Sequence, residues 1–125
     1  MNGLTLAYIG DAYYELIIRN HLIAKGITKV NELHNEAIKY TSSNAQALVI
    51  NYLISNNLLK ESEISAYKKG RNHSSSGRKN VDAKTYVDAT GFESLIGALY
   101  LNQDERLKVI IELSINYIEG EESHE

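Results

Sequence analysis

The sequence predicts an all-α fold, and three features carry that prediction. Pro is absent from all 125 residues, so nothing interrupts a helix by removing a backbone donor. Leu, Ile, Ala, Glu and Lys are abundant, a composition that favours helices throughout. Apolar residues recur three and four apart, and no stretch alternates with the period of two that a half-buried strand shows. The length suits one compact domain, which can bury roughly two-thirds of its unfolded surface and fold without staples.

Each helix has a reason to start and stop. The first is expected from Leu4 to Ala24, closed by Gly26 as a C-terminal cap. A second is expected from Val30 to Tyr40. Thr41, Ser42 and Ser43 then offer N-caps for a third, from Asn44 to Ser55, with Ala45, Leu48, Val49, Tyr52 and Leu53 at helical spacing. Asn56-Asn57 breaks it. A fourth starts near Glu61 and ends near Lys69-Gly70. Residues 70–81, rich in Gly, Ser and Asn, predict a surface loop. A helix starting at Thr85 or Thr90 and running to Leu101 follows. Asn102 with Glu105 resembles a capping box for a last helix ending near Glu119. This gives six to seven helices in a single domain over residues 1–119, with 120–125 as a frayed acidic tail.

Composition narrows the function. There is no Cys, which excludes disulfides and thiolate metal sites and suits a reducing compartment. The start of the chain lacks a basic segment followed by a long apolar run, so no secretory signal is read. No apolar run approaches the roughly 20 residues that span a bilayer. The expectation is a soluble cytoplasmic protein with no membrane partner. The four His residues, His21, His34, His73 and His124, show no zinc spacing, and His34 reads as a packed or capping residue. Most of the nine Tyr sit at helical spacing and read as core or interface packing.

The formal net charge is −3, which alone argues against a nucleic-acid partner. Its distribution argues the other way. Lys68, Lys69, Arg71, Arg78, Lys79 and Lys84 fall in one segment with only Asp82 opposing them. A basic segment on an acidic body is a partner signal that the average hides.

Two acids stand out. "YIGDAYYE" places Asp11 inside an apolar helix, and "ATGFESLIGALYL" places Glu93 at the expected start of another. Gly10, Ala12, Gly97 and Ala98 would let these two helix backbones approach closely. If they pack together, Asp11 and Glu93 converge in one cleft as hard oxygen ligands for Mg²⁺, which takes one or two carboxylates and keeps several waters. The plainer alternative pairs Asp11 with Arg19, a Lys or a helix terminus, and makes Glu93 a first-turn acid favoured by the helix dipole. Glu15, one turn after Asp11, either joins the site or pairs with a cation. Glu32 is a further candidate acid. Asp88, five residues before Glu93, points elsewhere on a helix.

"LAYIGDAYYELIIRNHL" with "FESLIGALYL", some 80 residues apart and in this order, resembles the catalytic domain of ribonuclease III. The similarity is greatest to the minimal Mini-III subfamily, which lacks a separate double-stranded-RNA-binding domain. It covers nearly the whole chain, including "ELHNEAIKYTSSNAQA" and "KKGRNHSSSGRKN". The resemblance implies a ribonuclease III-like fold and a homodimeric, Mg²⁺-dependent endonuclease that cuts double-stranded RNA to 5′-phosphate and 3′-hydroxyl ends. It implies metal-binding and catalytic roles for Asp11 and Glu93. It further implies maturation of a paired stem in the large-subunit (23S) ribosomal RNA precursor, with a ribosomal protein or particle as a further partner. Two acids of the larger enzymes are missing, since their positions hold Ala7 and Thr90. That depletion keeps open a non-catalytic, ribonuclease-III-like RNA-binding or ribosome-assembly protein. RNA contacts are expected from Lys68, Lys69, Arg71, Asn72, His73, Arg78, Lys79 and Lys84. The helix stretch "YYELII", Tyr13 to Ile18, is expected near a dimer interface.

Overall fold

The computed structural model describes residues 1–73 and 81–123. Six helices follow one another: α1 (Gly3–Ala24), α2 (Val30–Thr41), α3 (Ser43–Ser55), α4 (Glu61–His73), α5 (Val81–Leu101) and α6 (Arg106–Ser123). Among the described residues there is no strand. None of these helices is long and apolar enough to cross a membrane.

The early boundaries follow local chemistry. The Asn2 side chain accepts from Thr5 N–H at 2.9 Å and opens α1. Gly26 closes it with φ +98°, a left-handed conformation that glycine adopts without a Cβ penalty. Ser42 accepts from Ala45 N–H at 3.2 Å and caps α3, and Asn57 takes φ 56° after it.

The later boundaries differ from expectation. Gly70 to His73 remain in α4, and α5 begins at Val81 rather than at Thr85 or Thr90. The loop reading of 70–81 therefore fails at both ends, and positions 74–80 lie outside the described residues. The start of α6 is capped by Asp104, whose carboxylate accepts from Arg106 N–H at 2.9 Å, rather than by an Asn102–Glu105 box. The same helix runs to Ser123, past Glu119 and into the stretch expected to fray.

Helix α5 is the axis of the molecule. It packs on α1, α3, α4 and α6, and Asp88, Ala89, Phe92, Ser94, Leu95, Ile96 and Leu99 are all buried. A helix covered on every side needs apolar or small residues all round, which is how "GFESLIGAL" reads. Tyr14, Ile18 and Leu22 from α1, Val49, Ile50 and Leu53 from α3, and Ile110, Ile111, Ile115 and Ile118 from α6 complete one core. The Tyr14 ring meets Phe92 edge-on at 5.0 Å. Glu119 ties the far end of α6 to α1 and α2: its Oε2 accepts from His21 Nε2 at 2.7 Å, Lys25 Nζ at 2.7 Å and Tyr40 OH at 2.8 Å. Burial raises its pKa, but these donors outweigh that and hold it down to about 2.

The crossing of α1 and α5 depends on two glycines. A Cβ on Gly10 would lie 1.9 Å from Glu93 O, and one on Gly97 would lie 1.9 Å from Leu6 O. Both neighbours are backbone, so neither can rotate away. Gly97→Ala is expected to push the helices apart and to cost at least about 1–3 kcal/mol, the usual scale of overpacking. Urea denaturation measures this; a Gly97→Ala variant as stable as the parent contradicts the close crossing.

Candidate active site

The Gly10–Gly97 crossing brings Asp11 and Glu93 together. Gly10 lies against the Glu93 backbone, and the next residue, Asp11, is close enough to the Glu93 carboxyl to raise its pKa. Asp11 is exposed, whereas Glu93 is half-buried beneath it. Glu93 sits in the middle of the 21-residue α5. The first-turn reading of this acid therefore does not hold, because the dipole effect is confined to the terminal turn.

The electrostatics of the pair are those of two like groups in one cleft. Burial is the largest influence raising the Glu93 pKa. The hydrogen bond to Asp11 and the Asp11 charge add to it, and Glu15 contributes more weakly. A hydrogen bond from Gln46 opposes them, and the result is a carboxyl pushed up to about 8. At neutral pH the Glu93 carboxyl is therefore held towards its protonated form. Two carboxylates this close cannot both be ionised without a cation between them.

Gln46 is a site residue that sequence reasoning misses. It lies in the first turn of α3 with 2 % of its surface exposed, close enough to Glu93 to favour the charged form of its carboxyl. In the sequence it is only a polar residue in an apolar helix, and nothing local marks its partner 47 positions away. Glu15 pairs with Arg19 at 3.5 Å, the cation pairing that is one of its two expected roles, and its charge adds weakly to the raised Glu93 pKa. Glu32 is exposed on the first turn of α2. Ala7 is buried, and the Thr90 hydroxyl donates back to Tyr86 O at 3.0 Å, so neither position supplies an acid.

Asp88 is engaged on another face of α5. Its carboxylate accepts from Tyr67 OH at 2.8 Å, from Asn51 Nδ2 at 3.2 Å and from Lys84 Nζ. Lys84 therefore belongs to α5 and to an ion pair, not to a free loop. Lys68, Lys69, Arg71, Asn72 and His73 are exposed on the last turns of α4. Arg78 and Lys79 lie outside the described residues. His34 is exposed beside α1 rather than packed.

The donor set suits a hard divalent cation. Two carboxyl groups stand side by side at the helix crossing, and a cation between them would relieve their repulsion. Among the described residues no three His, Asp or Glu gather into a full protein cage, a donor number that fits an ion retaining waters.

Comparison with known proteins agrees with this geometry. The Ribonuclease III domain matches residues 4–104. The chain belongs to the ribonuclease III family. It is accordingly an endoribonuclease, and its all-helical architecture is the ribonuclease III-like fold. It is similar to the Mini-ribonuclease 3 of Acholeplasma laidlawii, at 54 % identity over 94 % of each chain. It is also similar to that of Streptococcus pneumoniae, at 45 % identity over 96 % of this chain and 95 % of the other. A crystal structure of a Fusobacterium nucleatum protein superposes with a TM-score of 0.79 at 30 % identity, over 93 % of each chain.

Proposed function

We propose that this ribonuclease III family member cuts double-stranded RNA with a divalent cation, Mg²⁺ in the cell, held by Asp11 and Glu93. The observation that supports this is the juxtaposition of those two carboxyl groups at the close glycine crossing of α1 and α5. Nothing in the packing of α1 and α5 requires acids there. When bound, the cation lowers the pKa of a coordinated water and offsets charge on the phosphoryl oxygens. Glu93 gives up its proton as the cation enters. Gln46 holds one edge of the Glu93 carboxylate, so the group keeps its orientation once the proton has gone. Asp11 stands at the exposed mouth, where a phosphate backbone can reach it. Hydrolysis leaves 5′-phosphate and 3′-hydroxyl ends.

The same reading includes a homodimer. Tyr14 and Ile18 are fully buried, so most of "YYELII" serves the core. The exposed apolar stripe on α1 is Leu4, Tyr8, Leu16 and Ile23, accessible by 48, 83, 54 and 53 %. A two-fold pair matches the two strands of a duplex, and this stripe is the face we assign to it. Lys68, Lys69, Arg71, Asn72, His73, Arg78, Lys79 and Lys84 are the RNA-contacting set. The Mini-III resemblance extends the reading to the substrate: a paired stem of the large-subunit ribosomal RNA precursor, matured in the cytoplasm with a ribosomal protein or particle at hand. Residues 1–119 form the catalytic unit.

The direct test is incubation of the purified protein with a duplex RNA. Cleavage is expected in Mg²⁺, arrest on adding a chelator, and recovery when Mg²⁺ is restored, with the single strands spared. Cleavage that persists in excess chelator overturns the two-carboxylate cation site.

A further inference from the structure

Asp88 has no part in the site described above, yet it is one of the most completely buried acids in the protein, with 2 % of its surface exposed. Burying a carboxylate is costly unless several donors surround it. Here the donors come from three helices: Asn51 from α3, Tyr67 from α4 and Lys84 from α5. The Arg71 charge also reaches the Tyr67 hydroxyl and favours its ionised form. Burial raises the Asp88 pKa, but the bonds from Lys84, Tyr67 and Asn51 outweigh it and leave the group below the ordinary carboxylate value. It is therefore a permanent anion at neutral pH.

One cation of the RNA-contacting set, Lys84, is thus bound to a buried anion, and a second, Arg71, lies within electrostatic reach of the Tyr67 hydroxyl that donates to the same anion. The Lys84 side chain is 68 % exposed although its ammonium is bound to Asp88. An ammonium has three donors, and Asp88 does not need them all. Lys84 and Asp88 line a groove of mixed polarity between α3 and α5 with Asn44, Asn51, Thr85, Ala47 and Leu48. The α3–α5 packing that carries this groove also carries the site. Gln46 meets Glu93, and Asn51, five residues further along α3, meets Asp88, five residues back along α5. Five residues of helix span about 7.5 Å.

We propose that Asp88 is a positioning residue for RNA binding: through its direct bond to Lys84, and through its bond to Tyr67 in the field of Arg71, it presets these two cations as a clamp for the phosphates of the duplex. This rests on the reading that Lys84 and Arg71 contact RNA. A long basic side chain that is already ordered loses less freedom when it meets a phosphate. The net charge of the cluster stays positive, with two cations against one anion.

The test uses the sign of an effect. Removing a negative charge beside a polyanion strengthens binding if charge alone matters. Loss of positioning weakens it. Affinity of the full-length protein for a short RNA duplex is measured with Ca²⁺ in place of Mg²⁺, over a salt series, for Asp88→Asn, Tyr67→Phe, and Arg71→Ala with Lys84→Ala. Asp88→Asn is expected to weaken binding by roughly three- to tenfold, the scale of re-ordering one or two long side chains. Tyr67→Phe keeps the ring and removes one donor to Asp88 on the Arg71 side while Lys84 stays bound, so it is expected to show a smaller loss that shrinks when Arg71 is already Ala. Circular dichroism checks that each variant is folded. If Asp88→Asn does not fold, Tyr67→Phe alone decides. The Arg71→Ala, Lys84→Ala pair is expected to flatten the slope of log affinity against log salt by nearly one unit for each phosphate it no longer neutralises. If that pair leaves affinity and slope unchanged, the two cations do not hold RNA, and the reading on which this proposal rests fails. If the pair weakens binding while Asp88→Asn or Tyr67→Phe leaves it equal or tighter, the positioning role alone is overturned.

Discussion

Asp11→Asn and Glu93→Gln each abolish cleavage of duplex RNA and, in the absence of metal, make the protein more stable at neutral and alkaline pH. The catalytic loss is expected to reach at least on the order of 10²–10³, the scale for removing one electrostatic stabiliser of developing charge. The gain in stability follows from the raised Glu93 pKa, about 8 in the fold against an ordinary 4.5. Between those values the folded state holds a proton that the unfolded chain has released. Stability of the metal-free protein therefore falls as pH rises from about 4.5 towards 8 and is lowest above 8. Glu93→Gln removes the group that titrates and so flattens this dependence. Divalent cation competes with the same proton, so Mg²⁺ affinity of the parent weakens as pH drops below about 8. Thermal melts across pH with and without Mg²⁺ read all three effects. Near-parental cleavage by either variant, or a metal-free Glu93→Gln protein with unchanged pH dependence, contradicts the assignment.

The first half of the fold is legible because its punctuation is local. Gly26, Ser42 and Asn56-Asn57 act within a few residues of themselves, and the helices end where those residues say. The second half misleads for a physical reason. Arg71 to His73 look like loop by composition, but Gly70 beside them is held against α5, where its absent side chain leaves room for Ser94. Tertiary packing carries α4 on through residues that would not extend it alone. Much the same holds for the early turns of α5, where Lys84 and Asp88 are fixed by their mutual bond. At the site, Asp11 and Glu93 are legible because an acid beside a helix glycine is a local conflict that needs an explanation. Gln46, Tyr67 and Asn51 are not. Each is an ordinary helix residue whose role lies in a partner 21 to 47 positions away, and spacing on one helix cannot show that.

The ion pair between Glu63 and Arg106 is of the same long-range kind, and breaking it is expected to produce the largest loss of stability among single substitutions outside the glycine crossing. Arg106 Nε donates to Glu63 Oε2 at 2.8 Å and Nη2 to Oε1 at 2.8 Å, a two-pronged bond that joins the start of α6 to the start of α4. Nη2 also donates to Leu58 O at 2.9 Å, and Glu63 Oε1 accepts from Lys60 N–H at 2.8 Å. The two partners differ in burial: the Glu63 side chain is 3 % exposed and that of Arg106 is 23 %. Arg106→Met therefore leaves a buried carboxylate without its cation, and a loss of about 3–5 kcal/mol is expected. That is a large share of the roughly 5–15 kcal/mol a domain of this kind possesses. Glu63→Gln keeps the bond to Lys60 and leaves Arg106 free to reach water, so its loss is smaller. The pH dependence separates the causes. Burial raises the Glu63 pKa, but Arg106 and the Lys60 N–H outweigh it and bring it below the ordinary 4.5. In the parent the pair thus stabilises fully above about 4.5, and its contribution is lost as pH falls through the lower folded value. In Arg106→Met Glu63 takes up a proton more readily than in the parent, because burial is then opposed only by Lys60. The gap between parent and variant should therefore be widest at neutral pH and narrow in acid. Urea denaturation at both pH values measures it. A gap that is small at neutral pH, or that widens in acid, shows that the pair does not hold α4 and α6 together.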